Sequence, residues 1–145
     1  RKETSMSQSQ VAPVSTFLGA ALKGGAIAAV LNLGLGLAAM AAGVEFQGQL
    51  EPGGALETIP AAMFAVSTLI PAFFAGLIAW ALRKKTEKAG VIFLAIAGVF
   101  TLVSFGGPMG LEGASMATKM ALNAMHIIAA IPITLSLVRG PLRMN

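Results

Sequence analysis

Residues 58–82 read TIPAAMFAVSTLIPAFFAGLIAWAL, residues 83–88 read RKKTEK, and residues 89–111 read AGVIFLAIAGVFTLVSFGGPMGL. Two uncharged apolar runs flank a short basic break. Each run reaches the roughly 20 residues that a helix needs to cross a bilayer. Neither alternates apolar and polar residues with period two, so strands of a membrane barrel are excluded. Two more runs lie outward of these. Gly24 to Ala42 carries no charge, and its helix is expected to begin near Ser15 to Gly19. Met120 to Val138 is likewise uncharged, with Ser115 as the expected N-cap. Gly106-Gly107-Pro108 marks the expected end of the third run. The sequence therefore predicts an all-α fold, a transmembrane four-helix bundle. Its spans are expected at about 17–42, 58–82, 89–106 and 115–138, with the membrane domain over 15–139 and polar tails at 1–14 and 140–145.

The charges orient this bundle. Arg1, Lys2, Lys23, Arg83, Lys84, Lys85, Lys88, Arg139 and Arg143 fall on one side of the threading. The other side carries Glu45, Glu51, Glu57 and Glu112, with Lys119 as its one basic residue. Basic residues favour the cytoplasmic face, so both termini and the 83–88 loop are expected in the cytoplasm. An even number of spans is what two termini on one side require. Arg83, Lys84, Lys85 and Lys88 are expected to anchor the topology and touch anionic lipid head groups. Trp80 sits where an interfacial aromatic belongs. The run that follows the N-terminal tail is too long for a signal-peptide core.

Composition narrows the chemistry. Only 11% of the 145 residues are charged, about half the usual share for a soluble domain. Cysteine, tyrosine and aspartate are absent, and there is one histidine. The net charge of +4 belongs to residues at the membrane edges. No basic patch interleaved with aromatics is present, so no nucleic-acid partner is expected. The partners expected are the lipid bilayer and either further copies of the chain or a larger membrane complex.

Few side chains remain for a site. Asn32 shares a helix face with Ala28 and Gly36, beside Gly25 and Ala29. That is a small-residue stripe allowing close helix approach, with Asn32 as hydrogen-bonding glue or as a ligand contact. Lys119, Asn123 and His126 line one face of the last helix. An ionisable group inside a span is a functional candidate by default; a neutral ring bonded to Asn32 or to a backbone carbonyl is the structural alternative. Thr101 and Ser104 lack the base and orienting acid that a nucleophile needs. One histidine excludes bis-histidine haem, and Met125 points about 100° away from His126, so another span would have to supply a sulfur ligand. Zinc lacks further ligands at depth. No catalytic residue, cofactor or metal is expected. Pro71 and Pro132 interrupt their helices and free the carbonyls of Ser67 and Ile128.

Several features together resemble a known family. They are Asn32 within the first span, a Pro-broken second span ending in Leu82-Arg83, and Ser104-Phe105 leaving the third span before Pro108. In the last span, Ala121-Leu122 is followed by Met125-His126 and Ile127-Ile128-Ala129-Ala130. Over most of 20–139 the chain resembles small bacterial four-span membrane proteins grouped as a domain of unknown function (number 6069). The resemblance implies a four-helix bundle in the bacterial cytoplasmic membrane and implies no activity. Small-residue faces, short loops and the missing catalytic set favour a non-enzymatic accessory, assembly or structural subunit. The alternatives are a small transporter or channel for an apolar or weakly polar solute along Asn32, Asn123 and His126, and a lipid- or quinone-handling enzyme or redox subunit.

Overall fold

The computed structural model describes residues 11–143. Its helices are α1 (Val14–Ala41), α2 (Ala61–Lys85), α3 (Ala89–Ser104), α4 (Gly106–Gly110) and α5 (Met116–Val138). Two short strands, β1 (Gln47–Gln49) and β2 (Leu56–Thr58), lie between α1 and α2. Four stretches are long and apolar enough to cross a membrane: α1, α2, α3 continued through α4, and α5. The chain is a multi-pass membrane protein by that measure.

Local chemistry sets the helix ends. Ser115 caps α5 by accepting the backbone N–H of Thr118 at 3.1 Å. Arg83, Lys84 and Lys85 form the last turn of α2, where positive charge meets the negative end of the helix dipole. The third span is jointed at Phe105. Pro108 has no N–H for the carbonyl of Ser104, four residues back, and the ladder breaks there. By itself α3, with 16 residues, is about 24 Å long at 1.5 Å per residue. That falls short of the roughly 30 Å hydrocarbon core, and α4 supplies the missing length.

α1 is the spine of the bundle and packs mainly against α2 and α5. Its buried positions include Gly24, Gly25, Ala28, Ala29, Asn32 and Gly36. At Gly24 the two backbones nearly touch: a Cβ there would stand 2.5 Å from the Pro132 carbonyl oxygen and 2.8 Å from Ile133 Cα. Small residues let helices approach closely in lipid, where dispersion contacts rather than water exclusion drive association.

Two buried clusters mark the ends of the bundle. Near the 83–88 loop, Phe17, Ala79, Ala89, Phe93 and Leu137 pack together. Leu142 joins them because the chain turns back after α5, its N–H bonding the Leu137 carbonyl. At the other end Phe46, Ile59, Phe64 and Met125 form a second cluster, with the Phe46 and Phe64 rings 4.8 Å apart.

The connection at 43–60 is more ordered than its turn signal alone predicts. β1 and β2 pair antiparallel, Gly48 opposite Glu57. The Glu51-Pro52-Gly53-Gly54 turn joins them, with Gly53 at a φ of 72° and the Gly54 N–H bonded to the Glu51 carbonyl. The hairpin is tied down from beneath, since Thr118 Oγ1 donates to the Glu45 carbonyl at 2.6 Å.

Candidate functional site in the bundle

Asn32 of α1 is 2% exposed and joins three helices. Its Nδ2 donates to Thr68 Oγ1 of α2 at 2.9 Å and to the Met125 carbonyl of α5 at 3.1 Å. Thr68 spends its own hydrogen on the Phe64 carbonyl at 2.7 Å. It can therefore only accept from Asn32, and a carbonyl can only accept, so the amide orientation is fixed. Asn32 Oδ1 is left buried with no donor.

His126 sits one helical position beyond Met125, and its Nδ1 lies 2.8 Å from the Leu122 carbonyl. The carbonyl only accepts, so Nδ1 carries the hydrogen. In the neutral ring the distal Nε2 is then an acceptor.

Both residues line a cavity of about 520 Å³ bordered by α2, α3 and α5, to which α1 contributes Asn32. The cavity exists because α3 diverges from the bundle. Its buried residues are Ala89, Gly90 and Phe93, all in its first half. Beyond them the helix separates from α2 and α5. Aromatic and aliphatic walls face the gap, among them Phe64 and Phe74 from α2, Phe93 and Phe100 from α3, and Ile133 from α5. No Asp, Glu, Lys or Arg lines the cavity. Ile70, Phe74 and Phe100 line the cavity while remaining 55%, 56% and 62% exposed. The cavity is therefore a cleft that opens sideways toward the hydrocarbon. Its volume falls in the range of small-molecule sites, about 300–1,000 Å³.

The four candidate ligand or contact residues separate into two pairs. Asn32 and His126 share the cleft. Asn123 and Lys119 lie farther along α5 toward its N-terminus and do not line it. Asn123 is half-buried with Oδ1 unpartnered. Lys119 Nζ donates to the Met109 carbonyl at 3.2 Å and so ties α4 to α5. Arg83, Lys84, Lys85 and Lys88 stand at the opposite end of the bundle. Lys84 Nζ lies 4.5 Å over the Trp80 ring, and Arg83 Nη1 donates to the Glu87 carbonyl at 3.3 Å. Among the described residues no three His, Cys, Asp or Glu side chains gather as a metal site.

Sequence reasoning missed the α3 wall. Phe93, Ile96, Ala97, Phe100, Thr101 and Ser104 recur at three and four residues and so share one helical face. That spacing was the available signal, but in an all-apolar helix it does not distinguish a cavity wall from a packed seam.

A family model described as "Family of unknown function (DUF6069)" matches residues 13–142. No curated protein and no solved structure matches the chain.

Proposed function

We propose, for a chain that belongs to the family of unknown function DUF6069, that it is a membrane-embedded binding protein or carrier. Its solute is an apolar or weakly polar small molecule that enters sideways from the bilayer. One observation carries this reading. A cleft of about 520 Å³ is walled by phenylalanine and isoleucine and opens toward lipid, and two buried polar residues, Asn32 and Thr68, lie in its lining. The mostly apolar lining suits a solute already dissolved in the membrane.

The accessory-subunit reading stands second. It draws on the small-residue face of α1, and in this fold Gly24, Gly25, Ala28, Ala29 and Gly36 are spent on contacts within the chain. We further propose that the end bearing Arg83, Lys84, Lys85 and Lys88 faces the cytoplasm, with both termini beside it, in a bacterial inner membrane. Those side chains would then meet anionic head groups.

The test is purification from the native host in mild detergent followed by native mass spectrometry. A retained small apolar adduct is expected, and Ala97→Trp, which fills the cleft, should remove it. Absence of any adduct, or an adduct that survives Ala97→Trp, refutes the proposal.

A further inference from the structure

The hydrogen bonds around the cleft are unbalanced in one direction. Four lining hydroxyls spend their hydrogen on their own helix. Ser67 donates to the Met63 carbonyl, Thr68 to Phe64, Thr101 to Ala97 and Ser104 to Thr101, at 2.6–2.7 Å. Thr134 is the one lining hydroxyl with no such bond among the described residues. Asn32 has committed both amide hydrogens, and the hydrogen on His126 Nδ1 is held by the Leu122 carbonyl. Apart from the Thr134 hydroxyl, what remains is lone pairs. They sit on His126 Nε2, on the hydroxyl oxygens and on the Ser67 carbonyl, which lost its helical donor to Pro71. Asn32 Oδ1, enclosed in the same wall, repeats the imbalance with a buried acceptor that no donor meets. Buried acceptors without donors are costly in a low-dielectric site, so the guest that best complements this cleft brings a hydrogen.

Resting on the binding reading above, we infer that the cleft takes an uncharged amphiphile of the alcohol or phenol class. Its hydroxyl donates to His126 Nε2, and its apolar body lies along the phenylalanine walls of α2 and α3. No cationic side chain lines the cleft to neutralise an anion, and a fixed positive charge would lose its hydration against apolar walls. Of the accessible acceptors the imidazole nitrogen is the strongest base, which makes it the docking point.

The test compares radiolabelled 4-octylphenol with 4-octylanisole, which differs by a methyl group in place of the donor hydrogen. Binding is measured to the full chain in phosphatidylcholine nanodiscs, with empty discs as background. One added hydrogen bond in a water-poor site predicts about a fivefold preference for the phenol. His126→Phe keeps a ring of similar size and should erase that preference while leaving anisole binding intact. His126→Leu, a second replacement without an acceptor, keeps the comparison open if His126→Phe does not fold. It too should erase the preference, since the principal acceptor is gone. Equal binding of both probes to the wild-type chain overturns this inference and leaves the binding reading standing. A phenol preference that survives in well-folded His126→Phe or His126→Leu overturns the assignment to His126. Binding of neither probe above empty discs overturns both readings.

Discussion

Replacing Gly24 by Ala tests whether direct backbone contact between α1 and α5 sets the bundle. The new Cβ would stand 2.5 Å from the Pro132 carbonyl oxygen, 2.8 Å from Ile133 Cα and 2.8 Å from Ser136 Oγ. Two of those three atoms are backbone and cannot rotate away, so α5 must shift from α1 by several tenths of an ångström. Overpacking of this kind costs about 3 kcal/mol, the upper end for one added methyl group, because no rotamer relieves it. Alanine returns about 1 kcal/mol through its better helix propensity. The net loss is about 2 kcal/mol, close to thirtyfold in the folded-to-unfolded ratio. The assay is SDS titration in mixed micelles, followed by the fluorescence of the single Trp80. Gly98→Ala is the control, since nothing lies within 4 Å of its Cβ position, and it should be neutral or slightly stabilising. Adding Ser136→Ala to Gly24→Ala should recover little, because the backbone clashes persist. Equal midpoints for Gly24→Ala and Gly98→Ala, or full rescue by Ser136→Ala, would show that the α1–α5 contact is not the tight backbone packing described.

Two further predictions concern the ends of the bundle. Phe46→Ala removes a ring that is buried against Phe64, Ile59 and Met125, and it should cost about 3 kcal/mol in the same titration; a loss below about 1 kcal/mol would mean the hairpin does not cap the bundle. The chain has no native cysteine, so single cysteines report topology cleanly: in intact cells Ala55→Cys should react with an impermeant maleimide and Glu87→Cys should react only after lysis, and the reverse pattern would invert the proposed orientation.

The four spans were legible because lipid imposes a length rule that one sequence displays openly. The hairpin was legible only as a turn. Glu51-Pro52-Gly53-Gly54 announces a reversal, but three-residue strands carry too little pattern to register, and their order comes from Phe46 and Thr118 beneath them. The stripe through Ala28, Asn32 and Gly36 could be read from spacing alone, whereas the partners of Asn32 could not. Thr68 and Met125 lie 36 and 93 residues away in the chain, and no local periodicity links them. Lys119, Asn123 and His126 share a helix face as read. The cleft reaches only His126, because where α3 leaves the bundle is decided by tertiary packing.

That departure has a cause in residue size. In water, an α3 exposing Val99, Phe100, Leu102 and Val103 would collapse onto its neighbours to bury them. In lipid those side chains are already in an apolar solvent, so collapse gains only what close packing supplies. Close packing needs small residues at the contact. α3 places Ala89 and Gly90 against the bundle, and both are buried. Farther on, Gly98 faces open space and Phe100 stands in the cleft wall. The helix is therefore packed at its start and diverges along its second half, until the Lys119–Met109 bond ties α4 back to α5. The same distribution of alanine and glycine that joins α1 to both its neighbours leaves a gap beside α3, and the polar groups of Asn32 and His126 lie along it. A soluble protein would have to support such an opening against the hydrophobic effect; in a bilayer it persists because nothing drives it shut, and a membrane-dissolved guest can fill it without crossing water.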